Sequence, residues 1–174
     1  MNPLDVEQAR ELLNNATHLP IEFEALYTTM LFTGLRIGEA IAVEWPDIDF
    51  DRRTLNVTKQ WDYKRKEIRP PKNYSIRVVR LSPRAVEVLK RLHEENGTGL
   101  VFPNKNGSYL THSKVDRWLR RIAPKPITPH DLRHTYATLR LAKGDNLVDV
   151  SAQLGHKRVD ITLKVYTHWI PRDE

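Results

Sequence analysis

Cysteine is absent from this sequence. Its absence excludes a disulfide framework and a thiolate metal site, and it is compatible with a reducing compartment. Long apolar runs are also missing, and the N-terminal stretch MNPLDVEQARELL is amphipathic, unlike a signal peptide or a membrane-spanning helix. No repeat, low-complexity tract or linker divides the chain. We therefore expect the 174 residues to form one soluble domain.

Positive charge, in contrast, is in excess. Lysine and arginine number 28 against 22 aspartate and glutamate residues, which gives a formal net charge of +6. Such a balance suits a polyanionic partner, although charge alone does not identify one. The hydrophobic content of 40% is sufficient for one sizeable core.

Apolar periodicity and turn signals predict a mainly helical protein. Helices are predicted at 5–14, 21–32, 39–43, 83–97, 113–123, 129–142, 146–154 and 160–167, the last of them capped by Asp160. Alternating β-branched residues predict strands at 54–61 and 75–81, with a shorter strand at 67–69 between them. The expected fold class is α+β, mainly α-helical: a helical bundle with a small antiparallel three-stranded sheet.

The segment TPHDLRHTYATLR, which begins at Thr128, carries the signals of a well-defined helix start. Thr128 is a favoured N-cap, Pro129 suits the first helical position, and Asp131 can complete a capping box. His130 and Arg133 share one face of the first turn, where unpaired backbone N–H groups and the helix dipole attract anions. This pattern predicts a phosphate site.

A metal site is a competing interpretation, because His130 and His134 have the i, i+4 spacing of a helical zinc pair. The glutamate that such a motif carries is missing, and Arg133 would place a cation between the two ligands. A metal hydrolase is therefore the weaker hypothesis, and an activity that resists a chelator would exclude it.

Five short motifs follow one another along the chain. They are TGLRIGEA (33–40), PPKNYSIRVVRL (70–81), HDLRHTYAT (130–138), LGH (154–156) and TLKVYTH (162–168). In order and approximate spacing they resemble the catalytic domain of the tyrosine recombinases, or phage integrases, and the resemblance covers nearly the whole chain. It implies the fold of that domain and, as the activity, site-specific DNA recombination by integration or excision.

The resemblance also implies the chemistry of strand cleavage. Tyr166 matches the nucleophile, whose oxygen attacks a phosphodiester to form a 3′-phosphotyrosyl link and free a 5′-hydroxyl. Arg36 and Arg133 match the two arginines that bind the nonbridging phosphate oxygens, and a guanidinium suits this task because it donates two parallel hydrogen bonds.

Three further residues match positions that handle protons or bind phosphate. Lys72 matches the lysine that protonates the leaving 5′ oxygen, His130 fits a proton-transfer role, and His156 fits hydrogen bonding to the phosphate or the nucleophile. No metal ion or other cofactor is expected, because cationic side chains replace it. Three other lysines lie near Lys72 in the sequence and compete with it: Lys59, Lys64 and Lys66.

Other residues of the motifs are expected to be structural. Tyr136 competes with Tyr166 for the role of nucleophile, but it lies four residues after Leu132 and so belongs to the apolar side of its helix. His134 is expected to be structural, and the tryptophans at 45, 61 and 118 are expected to pack in the core.

The surroundings of Arg36 favour a functional role for it. Gly34 and Gly38 bracket this arginine, which indicates a backbone held close to a neighbour. Glu39 is expected to orient a nearby polar group.

Family members generally carry a core-binding domain, and often an arm-binding domain, before the catalytic domain. The residues here begin just before the catalytic pattern, so we expect 1–174 to be that domain alone, without the other two. The expected partners are double-stranded DNA at attachment sites and other recombinase protomers, assembled on DNA as a tetramer. Without DNA a monomer is expected, in the cytoplasm of a bacterium or a phage-infected host and not on a membrane.

Two other functions are compatible with the same motifs. A DNA-binding module that has kept the fold without the chemistry is one, and a covalent protein–DNA adduct would exclude it. A type IB topoisomerase is the other, and relaxation of supercoils without strand exchange would favour it.

Overall fold

The computed structural model describes residues 1–167, so His168 of the TLKVYTH motif and the residues after it lie outside that range. Its helices are α1 (Val6–Ala16), α2 (Ile21–Thr33), α3 (Ile37–Ile41), α4 (Pro83–Glu95), α5 (His112–Ile122), α6 (Pro129–Ala142), α7 (Leu147–Leu154) and α8 (Val159–Tyr166). Its strands are β1 (Ile48–Asp49), β2 (Thr54–Val57), β3 (Gln60–Asp62), β4 (Glu67–Arg69) and β5 (Arg77–Arg80). Within residues 1–167 no helix combines the length and apolar character needed to cross a membrane.

Helix α2 forms the centre of the helical core. Side chains around nearly its whole circumference are buried, including those of Phe23, Tyr27 and Met30, as expected for a helix that is enclosed by others. It packs against α1, α4, α5 and α6. The hydroxyl of Tyr27 donates a hydrogen bond of 2.5 Å to the carbonyl of Val115 on α5. The predicted helical bundle is confirmed.

The short strands form two antiparallel units. Strands β1, β2 and β5 make a three-stranded sheet in that order, whereas β3 and β4 form a separate ribbon. The single strand predicted at 54–61 is interrupted after Val57. There the ammonium group of Lys59 lies 3.1 Å from a carboxylate oxygen of Asp47 and also pairs with Glu44. These long-range ion pairs hold the chain where it bends out of the sheet.

The β3–β4 ribbon lies directly against α3. A Cβ atom on Gly38 would stand only 2.8 Å from the carbonyl oxygen of Trp61, so the ribbon can approach this closely only because the residue is glycine. The ring of Trp61 stacks on Tyr109 with the centroids 4.0 Å apart. The predicted close approach of the backbone beside Arg36 is confirmed.

Helix α6 begins as its capping signals predict. The carboxylate of Asp131 accepts hydrogen bonds of 2.9 Å from both the backbone N–H and the hydroxyl of Thr128. The prediction that Asp160 caps α8 is wrong. The N-cap is Arg158, and Asp160 lies inside the first turn, where it accepts a hydrogen bond of 3.0 Å from Nε of Arg158. The helix begins one residue earlier than its apolar pattern indicates.

Gly34 closes α2 at the point where three helices meet. Its φ of +68° is left-handed, which ends the helix. A Cβ atom there would lie 2.5 Å from Cδ1 of Tyr136 on α6 and 2.9 Å from Cδ2 of Leu154 on α7. The segment that leads into Arg36 is therefore held tightly against both helices.

Replacement of Gly34 by alanine is expected to destabilise the protein more than the same change at Gly144. Both glycines have positive φ, +68° and +89°, so each substitution carries a backbone strain of about 1–2 kcal/mol. Of these two glycines, Gly34 has neighbours that a methyl group would strike, whereas no atom of residues 1–167 lies within 4 Å of the corresponding position at Gly144. Overpacking should add about 1–3 kcal/mol to the loss at Gly34. Equilibrium denaturation in urea measures both losses, and equal losses would contradict the packing described for Gly34.

Candidate active site

The candidate residues come together where the ends of four elements meet. Arg36 precedes α3, Arg133 lies in the first turns of α6, His156 follows α7, and Tyr166 ends α8. These four residues form one cluster. His130 lies at its exposed edge.

Arg133 connects two loops from the centre of the cluster. Only 3% of this residue is exposed. Its Nη1 donates a hydrogen bond of 2.7 Å to the carbonyl of Gly34, and its Nη2 donates one of 2.8 Å to the carbonyl of Leu154. Burial, followed by the positive charge of Arg36, lowers the pKa of Arg133 to about 9, which leaves it protonated at neutral pH. Its Nε–H and one Nη1–H have no acceptor among residues 1–167.

Arg36 is held by Glu39. The backbone N–H of Arg36 donates to Oε2 of Glu39 at 2.9 Å, and its Nη1 donates to Oε1 at 3.1 Å. The Arg36 side chain is still 22% exposed, whereas that of Glu39 is fully buried. The prediction that Glu39 orients a polar group is confirmed, and that group is the guanidinium of Arg36.

A second arginine, Arg77 on β5, satisfies the same carboxylate. Its Nη1 and Nη2 donate to Oε1 and Oε2 of Glu39 at 3.0 and 2.9 Å. Burial by itself would raise the pKa of Glu39, but the hydrogen bonds and charges of Arg77 and Arg36 outweigh it, so the pKa is lowered and the carboxylate is ionised at neutral pH. The sequence analysis did not identify Arg77. The sequence feature that could have identified it is the alternation of the strand, which puts Arg77 on the same face as buried Val79.

His156 has one hydrogen-bonding partner at each ring nitrogen. Nε2 lies 3.2 Å from Nη2 of Arg133, and Nδ1 lies 2.6 Å from Oγ1 of Thr162. Because a guanidinium can only donate, Nε2 accepts, and the ring proton is on Nδ1, where it is donated to Thr162. Burial, followed by the charges of Arg133 and Arg36, lowers the pKa of His156 to about 4. The ring is therefore neutral at neutral pH.

The hydroxyl of Tyr166 is in contact with His134. Oη lies 2.6 Å from Nδ1 of His134, and Tyr166 is only 2% exposed. Burial raises the pKa of Tyr166 to about 12, an effect that the charge of Arg133 opposes. Burial, followed by the charge of His130, lowers the pKa of His134 to about 4. A neutral phenol therefore faces a neutral imidazole, and His134, which was expected to be structural, contacts the hydroxyl of the candidate nucleophile.

His130 packs against this pair from the exposed side. Its ring is nearly perpendicular to that of His134, with the centroids 4.4 Å apart. Burial, followed by the charge of Arg133, lowers the pKa of His130. Tyr136 points elsewhere: it is buried, and its hydroxyl accepts a hydrogen bond of 2.8 Å from Nη1 of Arg140. The prediction that Tyr136 belongs to the core is confirmed.

Lys72 lies apart from the cluster. It is exposed in the turn between β4 and β5, and within residues 1–167 its ammonium group makes no hydrogen bond or ion pair. Among the three competing lysines, Lys59 is engaged by Asp47 and Glu44. Lys64 lines an open cleft with Arg36 and His130.

Together these side chains make a cationic cluster with a tyrosine hydroxyl at its edge. Two buried or partly buried guanidinium groups supply positive charge and planar hydrogen-bond donors, which match a phosphate group. The phenol lies close enough to Arg133 for that charge to favour its ionised form. The arrangement is suited to the attack of a tyrosine on a phosphoester.

Two curated proteins illustrate the sequence similarity. The chain is 31% identical over 182 residues to a protein named "Tyrosine recombinase XerC-like" from Caldanaerobacter subterraneus subsp. tengcongensis. It is 30% identical over 170 residues to the ICEBs1 integrase of Bacillus subtilis. Each comparison covers 87% of this chain and 46% of the relative, so the chain spans about half the length of these relatives.

Solved structures show the same fold. The Tn1549 transposon integrase in complex with a circular intermediate DNA has a TM-score of 0.81 at 21% identity, over 99% of this chain and 62% of that one. The catalytic domain of bacteriophage HP1 integrase has a TM-score of 0.67 at 21% identity, over 98% of this chain and 89% of that one. The expected catalytic-domain fold is confirmed. Residues 2–171 match the family model described as the phage integrase family. The protein therefore belongs to this family, the tyrosine recombinases.

Proposed function

We propose that this protein cleaves and rejoins DNA strands in site-specific recombination, with Tyr166 as the nucleophile. The observation that carries the proposal is that the Tyr166 hydroxyl lies near enough to Arg133 for its charge to favour ionisation of the phenol, while Arg133 contacts His156. The names of the relatives, a tyrosine recombinase and an integrase, support it, as does the Tn1549 integrase complex with a circular intermediate DNA.

The scissile phosphate binds between Arg36 and Arg133. Arg36 has an exposed part of its guanidinium for this contact, and Arg133 has N–H groups that no acceptor among residues 1–167 occupies. Both groups are held by the protein before DNA arrives, so they stabilise the charge of the transition state without having to be ordered during the reaction. The neutral His156 keeps Arg133 in place from the other side.

In the cleavage step the Tyr166 oxygen forms a bond to phosphorus, and the bond between phosphorus and the 5′ oxygen breaks. The phenolic proton passes to Nδ1 of His134, which contacts the hydroxyl, and His130 packs against the same imidazole from the exposed side. The 5′ oxygen takes a proton from Lys72 and leaves as a hydroxyl. The 5′-hydroxyl of another strand then attacks the phosphotyrosine, which reverses these transfers.

Access to Tyr166 requires a movement of α8. Tyr166 is only 2% exposed, so a phosphate reaches its oxygen only when the packing around this helix opens. Helix α8 contacts α7 and α6 and ends at the nucleophile itself. The proposed cleavage step therefore includes a shift of this short helix.

Double-stranded DNA at attachment sites is the partner that this chemistry requires. The net charge of +6 favours contacts with phosphates, which position a protein without reading the base sequence. Protomers assemble on DNA as a tetramer, because two duplexes must exchange strands, and the free chain is a monomer. The reaction proceeds as integration or excision.

Tyr166→Phe is expected to abolish the covalent adduct and to leave DNA binding intact, because it removes only the attacking oxygen. The matched control is Tyr136→Phe, which removes a buried hydroxyl from a tyrosine bonded to Arg140 instead. Nicked duplexes with randomised sequence serve as substrates, covalent complexes are recovered under denaturing conditions, and the attached strands are sequenced.

The control variant should form adduct at about the wild-type rate. An adduct formed by Tyr166→Phe would contradict the assignment of the nucleophile. Absence of any adduct with the wild-type chain would favour a noncatalytic DNA-binding module, and relaxation of supercoiled DNA without strand exchange would favour a topoisomerase.

Lys72→Ala is expected to slow cleavage by about 10²–10⁴-fold, the usual contribution of a general acid. A substrate whose 5′ bridging oxygen is replaced by sulfur should recover most of this loss, because a thiolate leaves without a proton. Lys64→Ala is the comparison, since Lys64 lines the cleft beside Arg36. Rescue of the Lys64 variant instead of the Lys72 variant would transfer the role to Lys64.

A further inference from the structure

Arg77 touches three segments, each of which carries a candidate catalytic residue. Its guanidinium donates two hydrogen bonds to Glu39, which holds Arg36. Its Nε donates one of 2.7 Å to the carbonyl of Gln153, three residues before His156. Its Nη1 also donates one of 3.2 Å to the carbonyl of Ser75, in the turn that carries Lys72.

The guanidinium of Arg77 lies close to the whole turn that precedes His156. A Cβ atom on Gly155 would lie 2.9 Å from Nη1 of Arg77, so the turn lies directly against the guanidinium. The side chain of Gln153 adds two hydrogen bonds to the same strand, one from the backbone N–H of Arg80 and one to the carbonyl of Val78. The end of α7 is thereby fixed to β5 at the level of Arg77.

The charge of Arg77 determines how strongly Glu39 holds Arg36. The Glu39 side chain is fully buried, and a buried carboxylate is costly unless it is paired. Arg77 pairs with both carboxylate oxygens of Glu39. The guanidinium of Arg36 therefore needs to donate only one Nη1 hydrogen bond to this carboxylate. Without Arg77, Arg36 would be the nearest cation left to neutralise Glu39, and its guanidinium would be drawn inward, away from the phosphate.

We propose that Arg77 is a positioning residue for strand cleavage: it neutralises Glu39 and fastens the 153–156 turn, which keeps Arg36 directed at the phosphate and His156 in contact with Arg133. The proposal rests on the proposed function of the cluster. Arg77 itself is assigned no contact with the substrate, because four of its five N–H groups are donated to Gln153, Glu39 and Ser75.

The test compares Arg77→Met, which removes the charge, with Arg77→Lys, which keeps a charge but loses the planar donors. Arg80→Met is the matched control, because Arg80 lies on the same strand but is exposed and pairs with Asp149 at the surface. Melting temperature, DNA affinity and the single-turnover rate of adduct formation are measured for each, at a temperature well below every melting point. The substrate is the sequence enriched from the randomised duplexes.

A second substrate separates positioning from a general loss of structure. It carries a methylphosphonate at the scissile position, where a methyl group replaces one nonbridging oxygen and removes its negative charge. If Arg77 acts by directing Arg36 at that charge, Arg77→Met should slow cleavage of the ordinary phosphate about tenfold or more, and that of the methylphosphonate much less. Arg77→Lys should be intermediate, Arg80→Met should match wild type, and affinity for DNA should change little.

Equal slowing on both substrates would overturn the proposal, since a merely structural defect does not distinguish them. A wild-type rate in Arg77→Met would overturn it as well. If Arg77→Met does not fold, the proposal is decided by Arg77→Lys, from its loss of rate on the phosphate compared with its loss of rate on the methylphosphonate. Failure of the wild-type chain to form adduct would instead contradict the proposed function, and is thus distinguishable from a failure that concerns Arg77 alone.

Discussion

The ionised carboxylate of Glu39 is the constraint around which the candidate site is built. It is buried, and its pKa is lowered by the two arginines that face it. A buried charge is tolerated only where partners of the opposite sign are held in good geometry. The start of α3 and the strand β5 must therefore lie against each other, because Arg36 comes from one and Arg77 from the other.

A second guanidinium joins the same two regions of the chain. Arg133 bridges the carbonyls of Gly34 and Leu154, while Arg77 bridges Glu39 and the carbonyl of Gln153. The segments 34–39 and 153–156 are thus connected twice, by two buried arginines. Arg36 is the most exposed of the three, and we propose that it meets the phosphate together with the remaining N–H groups of Arg133. This division explains how a site with so much positive charge stays assembled before an anion neutralises it.

Local sequence signals predicted the parts of the fold that depend on local interactions. The capping box of Thr128 and Asp131 and the apolar faces of the helices are decided within a few residues, and these predictions are confirmed. The split of the sheet was not predictable, because it depends on Lys59 meeting acidic residues from a preceding segment. The candidate site residues were predicted from the family motifs. Arg77 was not, since its partner Glu39 lies 38 residues away in sequence.

The most direct test of this account is the hydrogen exchange of arginine Nε–H groups, followed by NMR in the absence of DNA. The Nε–H of Arg77 is donated to a backbone carbonyl in the interior, whereas Arg52 has a side chain that is 83% exposed on the surface. We expect strong protection of the Arg77 signal and none for Arg52, and we expect Glu39→Gln to reduce that protection. Exchange of Arg77 as fast as that of Arg52 would show that the arginine bridges form only on DNA, and it would contradict a site that is assembled in advance.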